Sequence, residues 1–176
     1  MYNLKDFVEK IRHDKNLSDE VPYFDPNNGN ENARFLFLLE APGPKAIKTG
    51  FISFDNPDET AKNFKRQLAS AGISRKDIAL WNVVPWYLGN VNKTKISAAT
   101  SQDVKSSLQY LKELLGLLKN LECIILVGAA ARKCHVYLSQ HTKLRILSCH
   151  HPSPRALNIS PEFDEENISV FKALNN

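Results

Sequence analysis

The chain has 176 residues, 43% hydrophobic and 24% charged, with a formal net charge of +4. That balance is ordinary for a globular domain, and it excludes collagen, coiled coil and wholesale disorder. The longest apolar runs, residues 35–39 and 123–131, fall well short of the roughly 20 residues a membrane helix needs.

Leu4, Phe7, Val8 and Ile11 recur at helical spacing and predict a short amphipathic N-terminal helix. Residues 21–29 (VPYFDPNNG) carry the Pro, Asn and Gly of an ordered loop. Residues 34–39 (RFLFLL), bounded by Asn32 and Pro42-Gly43, read as a buried strand. Asn56-Pro-Asp-Glu59 predicts a helix start, with Asn56 as cap and Pro57 at the first helical position. Ala61, Phe64, Leu68 and Ala71 then form one apolar face, and Gly72 ends the helix.

Residues 78–84 (IALWNVV) predict a second strand, ended by Pro85. Thr100 to Asp103 reads as a cap, followed by Val104, Leu108, Leu111, Leu115 and Leu118 on one face of a long helix. Residues 123–127 (CIILV) predict a third strand, stopped by Gly128, with a short helix over 129–138. Residues 144–149 (LRILSC) predict a fourth strand, and 163–174 a last helix. Strands alternating with helices specify a parallel sheet with helices on both faces. The expected fold class is therefore α/β, one domain over residues 1–176, as a three-layer α/β/α sandwich on a four-stranded parallel sheet.

Ligands of an open parallel sheet bind beyond the carboxyl ends of its strands. Four turns should meet there: Glu40-Ala-Pro-Gly-Pro44, Asn82 with Pro85-Trp86-Tyr87, Gly128-Ala-Ala, and His150-His151-Pro-Ser153-Pro154-Arg155. A carboxylate, an amide, two imidazoles and a guanidinium would share one rim. The chain has no GxGxxG, no GxxxxGK[ST] and no GxSxG, so the dinucleotide, P-loop and α/β-hydrolase readings lack support.

Glu40-Ala-Pro-Gly43, Asn82-Val-Val and His151-Pro-Ser153, each at a strand end, resemble the motifs of the uracil-DNA glycosylase superfamily. The resemblance covers residues 35–157. Each tripeptide alone is common, and the three in this order are specific. The first motif is most similar to that of the thermophile-type iron–sulphur glycosylases. That family holds its cluster with four cysteines. This chain has only Cys123, Cys134 and Cys149, with none near the N-terminus and Pro85-Trp86 after the second motif. No cluster, no zinc and no other cofactor are expected.

What the resemblance implies is a DNA glycosylase that hydrolyses the N-glycosidic bond of uracil or a related deaminated base. The partner would be damaged DNA. Such an enzyme flips the nucleotide out of the stack and stabilises a cationic sugar and an anionic leaving base. Glu40 suits the sugar and the water. Asn82 suits the base edge, because its amide offers donor and acceptor together. Phe54 suits the stacking platform, with Phe51 as its rival. His151 suits the base anion, with His150 the weaker choice. Ser153, Pro154 and Arg155 would form the loop that meets DNA, with Lys45 and Lys48 as further phosphate contacts. Lys62, Lys65 and Arg66 read as a solvated helix face. Trp86 and Tyr87 read equally as core or pocket wall, and Asp25 and Asn28 as possible fasteners of the early loop. A monomer in the cytoplasm is expected, with no signal peptide and no membrane association. Two other readings stay open: a damage-binding module that does not cut, and a nucleoside or nucleotide hydrolase.

Overall fold

The computed structural model describes residues 2–175. In chain order its elements are α1 (Leu4–Lys15), β1 (Tyr23–Phe24), β2 (Phe35–Leu39), α2 (Pro44–Thr49), β3 (Phe51–Ile52), α3 (Glu59–Ser70) and β4 (Ile78–Asn82). Then follow α4 (Ser101–Leu117), β5 (Cys123–Val127), α5 (Gly128–Arg132), α6 (His135–His141), β6 (Arg145–Cys149), α7 (Pro154–Leu157) and α8 (Glu162–Lys172).

Four strands form one parallel sheet in the order β4-β2-β5-β6. The predicted sheet and its helical layers are present. β2, β4 and β5 are buried almost throughout, as strands covered on both faces must be. β6 is the partly exposed edge. Alternation along the strands assigns the layers. Phe37 of β2 packs edge-on against Phe64 of α3 and Phe171 of α8, with ring centroids 5.3 Å apart in each case. Trp81 of β4 points the other way, towards Phe7 of α1 and Phe24, whose ring stacks on it at 4.0 Å. So α3 and α8 cover one face, and α1 with its neighbour α4 covers the other.

Local signals set the helix ends. Asn3 and Asp6 form a capping box at α1, and Thr100 and Asp103 form another at α4. The start of α3 differs from expectation. Its cap is Asp58, whose carboxylate accepts the Ala61 N–H at 2.8 Å. Asn56 instead ties the preceding turn, accepting from the Thr49 hydroxyl at 2.7 Å and donating to the Phe51 carbonyl at 3.1 Å. The single helix expected over 129–138 is broken into α5 and α6 around Cys134, which is buried. Three further features were not predicted: the short helix α2, the turn α7, and a second small sheet pairing β1 with β3.

Candidate active site

The chain runs from β2 outward to β4, then crosses back to β5 on the other side of β2. A crevice is expected at such a switch point. A cavity of about 520 Å³ opens there, within the range of small-molecule sites. Glu40, Lys45, Phe54, Asn82, His151 and Arg155 all line it. Leu39, Leu80 and Asn82 share the strand parity of Phe37, so the cavity lies on the α3 side of the sheet, floored by Phe64 and Ala61.

Asn82 is the last residue of β4 and is only 3% exposed. Its Nδ2 is buried and makes no hydrogen bond. An unpaired buried amide costs free energy, so such a group is expected to have a purpose. The cavity it faces is where a ligand acceptor could satisfy it.

Glu40 follows β2 directly. Its Oε1 accepts the Ala99 N–H at 2.6 Å, just before α4. The carboxylate is thereby held by one oxygen. Its backbone is held too, because the Glu40 carbonyl accepts from Val84 N–H at 2.9 Å.

His151 is half-buried beyond the end of β6. Burial pushes its pKa below the ordinary 6.5, against the pull of the Glu40 and Asp58 carboxylates. Its Nδ1 accepts the Ser153 N–H at 3.2 Å. A ring nitrogen that accepts carries no proton, so the neutral ring bears its proton on Nε2. The imidazole therefore presents an N–H donor on the side away from its own loop. Gly128 packs against it: at φ +83°, a Cβ there would sit 3.1 Å from the His151 Cβ. His150 turns away. Its ring stacks on Phe163 at 3.6 Å and its Nε2 lies 2.6 Å from Glu166.

Phe54 is 5% exposed and packs edge-on against Phe64 at 5.1 Å. Phe51 does not reach the cavity. It is 38% exposed, fixed by the register of β3 with β1, and faces Tyr23. Strand alternation sends Ile52 towards the cavity and Phe51 away from it, so of the two rivals only Phe54 is in the lining. Asp25 and Asn28 fasten the Phe54 segment. Buried Asp25 accepts from the Ser53 hydroxyl and pairs with Arg75. Arg75 also donates to Asn28 Oδ1 at 2.7 Å and to Asp55 at 2.6 Å.

Ser153 and Pro154 lie beside the cavity rather than in its lining. Ser153 caps α7, accepting from Ala156 N–H, and exposed Pro154 is the first residue of that turn. Arg155, on the same turn, lines the cavity, as does Lys45 of α2. Both are exposed, and no ion pair among the described residues involves them. Lys62, Lys65 and Arg66 are solvated, but Lys65 pairs with Asp55 and Arg66 with Asp164. Trp86 is core, packed against Tyr110 under Lys15, and Tyr87 closes the following hairpin through the Lys95 carbonyl.

Sequence reasoning passed over Ser53, Asp58 and Ile96, which also line the cavity. Asp58 was detectable, since Asp with an N–H donor three residues on is a strong cap. Ile96 was not, because it sits in an irregular hairpin with no periodic signal. Cys123, Cys134 and Cys149 are buried and separate. Burial pushes the thiols of Cys134 and Cys149 up, to about 11 and about 12. Among the described residues, no group of three or more His, Cys, Asp or Glu side chains could hold a metal ion.

The fold is similar to solved structures. One is a solution structure from Methanosarcina acetivorans, provisionally named a uracil DNA glycosylase. It is 18% identical with a TM-score of 0.56, over 84% of this chain and 94% of that one. Another is the crystal structure of wild-type UNG from Nitratifractor salsuginis. It is 13% identical with a TM-score of 0.48, over 82% and 73% of the two chains. No curated protein matches. The family model described as the uracil DNA glycosylase superfamily matches residues 26–174. That span contains every motif residue of the cavity, and the chain belongs to the uracil DNA glycosylase superfamily.

Proposed function

We propose that the chain is a DNA glycosylase that hydrolyses the bond between deoxyribose and uracil, or a related deaminated base. The observation that carries this reading is the unpaired, buried Asn82 amide in a cavity shared with the Nε2–H of neutral His151. Uracil presents an O4 acceptor beside an N3–H donor, and one carboxamide satisfies both. Cytosine presents the reverse pattern. A site with a buried polar group rejects a ligand that leaves it unpaired far more strongly than an apolar pocket can.

The remaining roles follow from chemistry. Phe54 offers a face for the flipped base. The C1′–N1 electron pair departs with the base, and the Nε2–H of His151 donates to the carbonyl oxygen on which that charge accumulates. A neutral donor suffices there, because the interaction strengthens as the charge grows. Water oxygen bonds to C1′, and Glu40 orients the water, takes its proton and favours the cationic sugar. Arg155 and Lys45, exposed residues of the cavity lining, meet the phosphates, with Ser153 and Pro154 in the loop that carries Arg155.

The test is a panel of oligonucleotides carrying uracil, hypoxanthine, xanthine or hydroxymethyluracil, scored for abasic sites. Free base released from uracil DNA by wild type, and lost in His151→Ala, is the expected result. Retention of DNA without release of any base would replace this reading with a binding module. Release from free deoxyuridine but not from DNA would indicate a nucleoside hydrolase.

A further inference from the structure

His151 lies on the loop after β6, and a loop alone does not hold an imidazole to the precision that charge stabilisation needs. Two amide side chains grip the backbone on either side of it. Asn167 of α8, fully buried, accepts the His150 N–H at 2.8 Å and donates to the His150 carbonyl at 3.0 Å. One carboxamide thus takes both backbone groups of a single residue, as a neighbouring strand would. On the other side, Asn63 of α3 donates to the Pro152 carbonyl at 3.0 Å.

Neither amide belongs to a sequence motif, and neither lines the cavity. They come from the two helices that cover one face of the sheet. Those helices are themselves joined by polar contacts. Buried Gln67 of α3 donates to Asp164 of α8 at 2.7 Å and accepts from Asn167 at 3.4 Å, and Arg66 pairs with the same Asp164. The clamp is therefore built on rigid elements.

Resting on the glycosylase reading, we propose that Asn63 and Asn167 are positioning residues for His151. They fix the peptides at 150 and 152, and so hold the Ser153 N–H on Nδ1. That contact keeps the proton on Nε2 and the donor aimed into the cavity. Gly128 completes the seat, because any side chain there would press on the His151 Cβ.

The test uses the full chain, with Asn63→Ala and Asn167→Ala made singly in wild-type and His151→Ala backgrounds. Single-turnover release of uracil is measured in each, with the ¹⁵N signals of the His151 ring recorded in the first background. Displacing a reacting group by about 1 Å costs up to about a hundredfold in rate. A loss of about tenfold or more is expected for each variant with His151 present, shrinking to less than about twofold without it. The ring signals should move from a single Nε2–H tautomer towards a mixture. Equal losses in both backgrounds, or ring signals unchanged in both variants, would overturn the proposal. Asn63 is only half-buried, so Asn63→Ala decides the matter should Asn167→Ala fail to fold. If wild type releases no base at all, the glycosylase reading falls, and the ring signals still decide whether the clamp sets the tautomer.

Discussion

Glu40 and Ala99 are joined by a 2.6 Å hydrogen bond across 59 residues of sequence, from the Ala99 N–H to one carboxylate oxygen. It ties the turn after β2 to the start of α4. It also occupies one oxygen of Glu40, and in the proposed mechanism the other acts on water.

Glu40→Gln separates those two roles. The amide oxygen can still accept from Ala99, so fold and DNA affinity should persist. The charge and the proton acceptor are lost, and the single-turnover rate should drop by about 10²-fold or more. Rapid-quench kinetics beside a binding titration will check this, and an unchanged rate removes Glu40 from the mechanism.

Asn82→Leu should part stability from activity. The buried Nδ2 has no partner, and an orphaned buried polar group costs about 1–3 kcal/mol. An apolar side chain of similar size relieves that cost. Urea unfolding should therefore show stability held or raised by about 1 kcal/mol, while release of uracil falls and preference among bases loosens. A clearly destabilised variant would mean that the amide has a partner after all.

Stability should depend on pH through His151. Its native pKa lies below the ordinary 6.5 because the ring is buried. Below 6.5 the unfolded chain takes up a proton that the native ring refuses, so stability falls as pH drops from 6.5 towards the lowered native value. Above 6.5 both states are neutral and the effect vanishes. Denaturant midpoints between pH 8 and pH 5 should fall more in wild type than in His151→Gln. Identical slopes would contradict the burial argument.

Arg75→Ala should be strongly destabilising. Asp25 is 3% exposed and Arg75 is its cationic partner. Leaving a buried charge unpaired costs about 3–5 kcal/mol. Asp25→Asn added to Arg75→Ala should recover part of the loss, since the charge goes with its partner. Chemical denaturation of wild type, Arg75→Ala, Asp25→Asn and the double variant gives the answer, and additive losses would show that the pair is not coupled.

Arg155→Ala and Lys45→Ala should weaken DNA binding at low salt and spare the chemical step at saturating DNA. Each phosphate contact removed should reduce the slope of log affinity against log salt by about 0.9. An unchanged slope would place these cations away from the DNA backbone.

The sheet was legible in the amino-acid sequence, because its signals are local. RFLFLL, IALWNVV, CIILV and LRILSC are apolar in runs too short for helices, and capped amphipathic segments separate them. Parallel strands bring their carboxyl ends to one edge, so the rim was legible as well. Glu40, Asn82, His151 and Arg155 come together for that topological reason. That Phe54 and not Phe51 lines the cavity was not legible. It depends on the pairing of Phe51 with Tyr23, set by where two distant loops meet. The same holds for Asp25 with Arg75, for Glu40 with Ala99, and for the amides of Asn63 and Asn167 around His151. Asn, Asp and Arg carry no periodicity that names a remote partner. Their hydrogen bonds are satisfied by whatever packing brings near, and only the packed helices α3 and α8 decided that His151 would be held from both sides.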